Sequence, residues 1–380
     1  RDSSTSRGLG DVYKRQNLLR VFRLQERLKA NGRQPGVAPV RHVHVVGAGV
    51  MGGDIAAWCA LKGMTVTLQD QDLARIAPAI KRAATLFSRR LKDPRAARAA
   101  FDRLVPDPAG GGVPLADLVI EAISEQPEAK RGLYQTLEPR MKADALLATN
   151  TSSLSLETLR VGLAHPERLV GIHFFNPVAK MPLVEVVHAD GIADATLARA
   201  CAFVGQIGKL ALPVKSAPGF LVNAVLAPYM LQAMRSVDEG LSPATVDAAM
   251  VAFGMPMGPL ELADTVGLDI ARAAGQELAG GAEPPRCLAE RLARGDLGKK
   301  SGRGFYEWRD GKPVKDKAGG PPAPAGLAER LIQPLIDATR ERVDSGVVAD
   351  ADLADAGVIF GTGFAPFTGG PLHYQSSRST

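Results

Sequence analysis

The sequence predicts an α/β fold, in which a mostly parallel β-sheet covered by helices is followed by an all-α C-terminal domain. From His42 to about residue 216, apolar runs of strand length alternate with helical segments, which is typical of a parallel sheet with helical crossovers. The first apolar run is followed directly by a glycine-rich turn and a helix. After residue 217 the apolar spacing is helical, and no further strand pattern follows.

Composition is that of a globular protein. The chain has 380 residues, enough for two or three domains, and 46% of them are hydrophobic, which excludes global disorder. No apolar run reaches the ~18 residues that a membrane-spanning helix needs. The three cysteines are odd in number and lack metal-ligand spacing. We therefore expect no disulfide framework, no metal site and a reducing cytoplasm.

The net charge of +6 lies almost entirely in one segment. Residues 1–42 carry ten Lys and Arg against three Asp and Glu, so the rest of the chain is nearly neutral. This distribution argues against a nucleic-acid-binding protein. One basic stretch, Lys81 to Arg103, remains inside the neutral part, and it is interpreted either as a solvated helical face or as a site for acidic phosphates.

The segment before the sheet is predicted to be a leader and one helix. Residues 1–16 lack the apolar core of a signal peptide and are interpreted as a disordered or foreign leader. Residues 17–31 have the apolar spacing of an amphipathic helix, which Gly32 ends. Pro35 and Pro39 then indicate a short linker.

Apolar runs place the remaining elements. Two strands flank the glycine turn, between His42 and Asp70, and further strands are predicted at 117–122, 145–150, 169–174 and 183–187. Helices are predicted at 219–239, 243–253, 258–279 and 327–345. We see no internal repeat, and because the chain ends without an obvious domain boundary we expect it to be truncated. The predicted parts are a leader and linker helix (1–41), a sheet domain (42–216), a helical C-terminal domain (217–310), a linker (311–326) and a partial second helical unit (327–380).

The glycine turn predicts a dinucleotide site of the Rossmann type. Gly47, Gly49 and Gly52 form a Gly-x-Gly-x-x-Gly pattern between a strand and a helix, whose N-terminus favours phosphate. Asp70 ends the second strand, where a carboxylate binds ribose hydroxyls and repels a 2′-phosphate, so NAD is favoured over NADP. The alternatives are a glycine turn without a ligand and, for the acidic residue, Asp72, which could instead cap a helix.

Two further patterns predict catalytic residues. His173 ends an apolar strand, and Glu185 lies in the next one, where a buried carboxylate needs a partner. Pairing with Glu185 would orient His173 as a general base, although a lone histidine there is more often a core residue. Ser152 follows another strand and could equally be an N-cap. Asn223 is polar within an apolar helix, and a buried amide there would need an explanation.

A series of segments in this order resembles the 3-hydroxyacyl-CoA dehydrogenase family over residues 42–308. The segments are GAGVMGGDIA, DLVIEAISEQPEAKR, ATNTSSLSL, GIHFFNPVAKMPLVEVV, APGFLVN and GMPMGPLELADTVGLD. NLLRVFRLQERLK and GTGFAPFTGGPL are similar to the linker helix and second helical unit of bacterial bifunctional fatty-acid-oxidation proteins. The resemblance therefore implies the dehydrogenase half of such a protein, without its upstream hydratase domain. Residues before Asn17 and the final HYQSSRST match nothing in the family.

The resemblance implies NAD-dependent oxidation of (S)-3-hydroxyacyl-CoA to 3-oxoacyl-CoA in β-oxidation. It implies that His173 removes the hydroxyl proton while C3 passes a hydride to NAD, that Glu185 stabilises the imidazolium, and that Ser152 and Asn223 hold the substrate. The implied NAD contacts, besides the three glycines, are Met51, Asp70, Glu125, Lys130, Ser152, Asn176 and Lys300. The basic stretch falls at the family's helical hairpin near coenzyme A.

The resemblance also implies partners. These are an acyl-CoA substrate, further copies of the chain in a homo-oligomer and, in the full-length protein, a hydratase domain or a thiolase subunit. Two rival functions stay open at this point. One is a dehydrogenase of free hydroxy acids, which would not need the hairpin, and the other is a non-catalytic NAD-binding module.

Overall fold

A computed structural model of the chain describes residues 3–278, 283–315 and 322–378. The strands are β1 (His42–Val46), β2 (Thr65–Gln69), β3 (Leu104–Pro106), β4 (Leu118–Glu121), β5 (Leu146–Thr149), β6 (Leu169–Phe174), β7 (Leu183–His188), β8 (Leu210–Lys215), β9 (Glu307–Arg309) and β10 (Lys312–Val314). The helices are α1 (Ser3–Asn31), α2 (Val50–Leu61), α3 (Leu73–Arg90), α4 (Pro94–Asp102), α5 (Pro127–Leu137), α6 (Leu156–Leu159), α7 (Asp194–Gln206), α8 (Val222–Asp238), α9 (Pro243–Phe253), α10 (Pro259–Val266), α11 (Leu268–Leu278), α12 (Arg286–Ala293), α13 (Leu327–Asp344), α14 (Ala351–Thr362) and α15 (Pro371–Arg378).

The chain forms two compact units. One consists of residues 25–217, and the other combines residues 1–24 with residues 218–380. Among the described residues, no helix combines the length and the apolar composition needed to cross a membrane. The predicted division into five parts stays a prediction.

The unit of residues 25–217 contains an eight-stranded sheet in the order β3-β2-β1-β4-β5-β6-β7-β8. The strands from β3 to β6 are parallel, whereas β7 runs antiparallel to β6, and β8 runs parallel to β7. The strand order reverses between β1 and β4, and the crevice at such a point is where these sheets bind ligands. The predicted Rossmann-type, mostly parallel sheet followed by helices is confirmed.

Burial explains why these strands have apolar sequences. Every residue of β4, β5 and β6 is buried, because helices cover both faces of the sheet. Helix α2 is buried almost throughout, and Ile55, Ala56 and Cys59 have no exposed surface. The three cysteines, Cys59, Cys201 and Cys287, are all buried and free.

Several elements of the structure differ from the predicted ones. Strands β3 and β8 were not predicted, since β3 has only three residues and β8 contains a proline. The single helix predicted at 258–279 is two helices, α10 and α11, because Gly267 between them has a φ of +107°. Strand β10 lies in the segment predicted as a linker, of which residues 316–321 lie outside the described residues.

Residues 3–16, predicted to belong to a disordered or foreign leader, have a helical backbone, so the disordered alternative was wrong there. Helix α1 begins at Ser3 and continues without a break to Asn31. Adding a turn to an existing helix needs no new nucleus, so a polar segment can extend one that tertiary packing already stabilises.

In the unit of residues 1–24 and 218–380, a buried aspartate caps a helix through a Gly-Pro-Leu turn. Asp247 of α9 accepts hydrogen bonds from the backbone N–H groups of Leu260 (2.8 Å) and Glu261 (3.0 Å) at the start of α10. Its other donor is the hydroxyl of Tyr306, at 2.7 Å. Gly258 is required there, since a Cβ would lie 2.1 Å from the carboxylate carbon.

The same cap occurs a second time. Asp355 of α14 accepts from the N–H groups of Leu372 (2.8 Å) and His373 (3.2 Å) at the start of α15. A Cβ at Gly370 would lie 2.4 Å from its carboxylate carbon. Here the further donor is Arg20 of α1, at 3.0 Å. The prediction that the chain contains no internal repeat therefore missed a local one, because only short Asp and Gly-Pro-Leu elements are shared, at different spacings.

Candidate active site

The glycine turn between β1 and α2 is closely packed at two of its three glycines. Gly47 has a φ of +101°, and a Cβ there would lie 2.6 Å from the carbonyl oxygen of Ala122. A Cβ at Gly52 would lie 1.9 Å from the carbonyl oxygen of Gly47. Both contacts are with backbone atoms, so neither position tolerates a side chain. At Gly49, in contrast, a Cβ would meet no atom within 4 Å.

The start of α2 fits the phosphates of a dinucleotide. Gly49 is the N-cap and supplies no side-chain acceptor to the first N–H groups, and the first turn contains no acidic residue. The helix therefore presents backbone donors and the positive end of its dipole beside an open glycine. These features fit a pyrophosphate that approaches the backbone at Gly49.

The two candidate acidic residues have different positions. Asp70 directly follows β2, and its Oδ2 accepts a hydrogen bond from the N–H of Ala48 at 2.7 Å, so its carboxylate lies beside the glycine turn. Asp72 is the N-cap of α3 and accepts from the N–H of Arg75 at 2.9 Å. The preference for Asp70 as the residue at the turn agrees with this arrangement.

His173 and Glu185 form a buried pair on adjacent strands. They are directly opposite each other in the antiparallel ladder of β6 and β7. Nδ1 of His173 lies 2.8 Å from Oε2 of Glu185, and the two side chains are 7% and 0% exposed. The predicted contact is confirmed.

This geometry fixes how the imidazole can act. An ionised carboxylate only accepts hydrogen bonds, so the proton of neutral His173 must be on Nδ1. Nε2 then carries the ring lone pair and is the nitrogen that can take a proton from a bound molecule. Because His173 lies at the carboxyl end of β6, the pair lies at the edge of the sheet where ligands bind.

Ser152 is held by Glu125. The Oε1 atom of Glu125 accepts hydrogen bonds from the N–H of Ser152 at 2.6 Å, from its hydroxyl at 3.1 Å and from the Thr151 hydroxyl at 2.8 Å. Burial alone would raise the pKa of Glu125, but the charge of Lys130 and these hydrogen bonds outweigh burial and lower it. Glu125 is therefore ionised at neutral pH. The N-cap of α6 is Ser155 and not Ser152.

Sequence reasoning missed a second buried carboxylate. Glu121 ends β4 and has no exposed surface. It accepts hydrogen bonds from Lys130 (2.6 Å), Tyr134 (2.7 Å) and Thr149 (2.8 Å). The signal was available, because DLVIEA places a carboxylate in an apolar strand in the same way as LVEVV does for Glu185.

The other predicted site residues are distributed over both units. Met51 is half-buried in the first turn of α2, and Asn176 is exposed and precedes a cis peptide bond. In the unit of residues 1–24 and 218–380, Asn223 is the second residue of α8, and the Lys300 ammonium lies 2.6 Å from Oδ1 of Asp269. The structure brings Glu125, Lys130 and Ser152 together, as well as His173 and Glu185, and the roles of all these residues stay predictions.

The basic stretch from Lys81 to Arg103 forms most of α3 and all of α4. Most of its basic side chains are exposed, and Arg103 donates to the carbonyl of Ala60 at 3.0 Å. Arg82 donates to the carbonyl of Gly49 at 2.9 Å, and Arg90 donates to the carbonyl of Ala179 at 2.8 Å. Arg82 therefore lies at the glycine turn itself, which the sequence did not indicate.

Two family models match the chain. Residues 42–217 match a model described as "3-hydroxyacyl-CoA dehydrogenase, NAD binding domain". Residues 219–308 match the model of the C-terminal domain of the same family.

Similar proteins are of two lengths. The fatty acid oxidation complex subunit alpha of Pseudomonas syringae pv. tomato is 34% identical over 391 residues, covering 95% of this chain and 54% of that protein. The chain thus spans about half the length of the curated relatives it matches.

Solved structures of shorter proteins match over most of their length. The 3-hydroxybutyryl-CoA dehydrogenase of Escherichia coli K12 is similar with a TM-score of 0.79 and 27% identity, over 89% of this chain and 92% of that one. The (S)-3-hydroxybutyryl-CoA dehydrogenase PaaH1 of Ralstonia eutropha has a TM-score of 0.67 and 33% identity, over 71% of this chain and 100% of that one.

Proposed function

The chain belongs to the 3-hydroxyacyl-CoA dehydrogenase family, and on that premise we propose that it oxidises (S)-3-hydroxyacyl-CoA to 3-oxoacyl-CoA with NAD, in fatty-acid β-oxidation. The observation that carries the proposal is the buried pair of His173 and Glu185, 2.8 Å apart at the carboxyl end of β6. A general base oriented by a carboxylate is what removal of an alcohol proton requires.

In the proposed mechanism, Nε2 of His173 takes the proton of the 3-hydroxyl group. The Glu185 carboxylate keeps the ring oriented and stabilises the imidazolium that forms. Ser152 and Asn223 are proposed to hold the reacting oxygen and the thioester end of the substrate in near-attack geometry. NAD, when bound, supplies the acceptor for the hydride of C3.

The proposed cofactor site combines the glycine turn with charged side chains. Gly47, Gly49 and Gly52 would admit the pyrophosphate, and Asp70 would accept hydrogen bonds from the adenosine ribose. Met51, Glu125, Lys130, Asn176 and Lys300 are proposed to complete the NAD contacts. Support comes from the match of residues 42–217 to the family's NAD-binding domain.

The function is tested by the reverse reaction. Purified chain is expected to consume NADH when acetoacetyl-CoA is added, and the kcat/KM for free acetoacetate should be at least about 100-fold lower, because the coenzyme A part contributes binding energy to catalysis. Loss of NADH absorbance measures both rates. Equal use of the free acid would favour the hydroxy-acid dehydrogenase, and NADH binding without turnover of either substrate would favour the non-catalytic module.

Cofactor preference is expected to depend on Asp70. The wild type should prefer NADH to NADPH, and Asp70→Ala should lower kcat/KM for NADH by roughly tenfold, since a charged group typically contributes ~1.5 kcal/mol or more to a hydrogen bond. Steady-state kinetics with both cofactors measures the preference. Asp72→Ala is the matched control, because it removes a helix cap close by and should leave the preference unchanged. Equal use of both cofactors by the wild type would refute the assignment.

We also propose partners and a compartment. The relatives named as subunit alpha of a complex support a hydratase domain or a thiolase subunit in the full-length protein, and a homo-oligomer is proposed for the dehydrogenase part. The three buried, free cysteines support a reducing compartment such as the cytoplasm.

A further inference from the structure

The proposed mechanism does not use the most deeply buried charged group near the cofactor site, which is Glu121. Its side chain has no exposed surface, and it is the last residue of β4. Besides three side-chain donors, it accepts a hydrogen bond from the N–H of Ile123 at 2.7 Å. A buried carboxylate is tolerated only when it is paired and hydrogen-bonded, and Glu121 meets both conditions.

The Lys130 ammonium, which balances the charge of Glu121, also pairs with Glu125 of the proposed cofactor site. The Lys130 ammonium lies 2.6 Å from Oε1 of Glu121 and 3.1 Å from Oε2 of Glu125. Lys130 is 1% exposed, whereas Glu125 is 37% exposed and holds Ser152. One ammonium thus joins a buried carboxylate to a carboxylate at the surface of the proposed site.

The backbone at Glu121 contacts both sides of the site. The next residue, Ala122, is the one against which Gly47 of the glycine turn packs. The carbonyl of Glu121 accepts from the N–H of Asn150 at 2.8 Å, and the Asn150 side chain accepts from the N–H of Phe174, next to His173, at 3.0 Å. A displacement of the backbone at the end of β4 would therefore also displace the glycine turn and the end of β6.

From these contacts we infer that Glu121 is a positioning residue, which fixes the Lys130 ammonium against Glu125 and thereby holds Glu125 and Ser152 in the arrangement that binds the cofactor. The inference rests on the proposed function, since it concerns the same site. Without the charge of Glu121, Glu125 would be the remaining anion paired with the ammonium among the described residues, and the attraction would draw the two groups towards each other. Glu125 would then hold Ser152 less well, although no atom that contacts a ligand had been changed.

The test measures NADH binding directly, by fluorescence titration without substrate. Glu121→Gln should raise the Kd for NADH about tenfold, the size expected when a buried charged hydrogen bond loses its partner. Tyr134→Phe is the matched control, because it removes a donor to the other oxygen of Glu121 and leaves Lys130 paired. It should lower the melting temperature as a buried hydrogen-bond deletion does, with the Kd changed by less than about twofold.

A double-mutant cycle then decides whether Glu121 acts through Lys130. Lys130→Met should raise the Kd by itself, and adding Glu121→Gln should change it by less than about twofold, because coupled residues lose a shared function only once. Independent, multiplying losses would overturn the inference, as would a Glu121→Gln protein with a lower melting temperature and a wild-type Kd. If the wild type bound no NADH, the proposed function would fail first, and the inference with it.

Discussion

Replacing His173 with alanine is expected to lower kcat by about 10²–10⁴-fold, the range typical of a lost general base, and to leave the Kd for NADH nearly unchanged. The reason is geometric. Glu185 lies 2.8 Å from Nδ1, so Nε2 is the ring nitrogen that is proposed to accept the hydroxyl proton. Steady-state rates with acetoacetyl-CoA, together with a fluorescence titration of NADH, separate the loss of chemistry from a loss of cofactor binding.

His188→Ala is the matched control for this experiment. His188 ends β7, the strand that also carries Glu185, and burial lowers its pKa, but it is not part of the proposed site. Its removal should leave kcat within a few-fold of the wild type. Wild-type turnover by a folded His173→Ala protein would show that His173 is not the general base.

Glu185→Gln is expected to lower kcat substantially and to leave the KM for NADH nearly unchanged. Glutamine keeps the size and part of the hydrogen bonding but loses the charge that stabilises an imidazolium. The decisive measurement is the double variant, His173→Ala with Glu185→Gln, which should be about as slow as His173→Ala alone, because residues that act as a unit are strongly non-additive. Two full, multiplying losses would mean independent roles, and the pair would have to be abandoned.

A circular dichroism spectrum and a melting curve serve as controls for both variants at position 185. Glu185 has no exposed surface, so its replacement changes a buried site. If folding were lost, the kinetic comparison would have to be made with Glu185→Asp, which keeps the charge and shortens the side chain. Recovery of kcat by aspartate, relative to glutamine, would support the role assigned to the charge.

The sequence contained enough to predict the sheet and the pair of catalytic candidates. Buried parallel strands are nearly continuous apolar runs, so 169–174 was predicted with the bounds of β6, and a charged residue inside such a run stands out. Glu185 was recognised in this way. Glu121 carries the same signal, but its partners Tyr134 and Lys130 lie on the following helix, so the sequence indicates no histidine partner for it.

Short elements and contacts between elements were the features that the sequence could not specify. Strand β3 has three residues, which is too few to show a period. Arg82 reaches the carbonyl of Gly49 from α3, and a contact between elements so far apart in sequence depends on how α2 and α3 pack. The second Gly-Pro-Leu cap has the same backbone hydrogen bonds as the first, but the two segments share too little sequence to predict them.

The pairing of Arg20 with Asp355 has a consequence for how the protein is made. The two residues are 335 positions apart and belong to one unit, although the sheet unit lies between them in the chain. Translation delivers residues 25–217 as a continuous block, which can begin to fold while later helices are still being added. Residues 1–24 have to wait until Asp355 and the helices around it have been synthesised, and contacts over so long a separation close slowly because the intervening loop must first be ordered. The segment of residues 1–24 is therefore synthesised before the sheet unit but completes its own unit only after it.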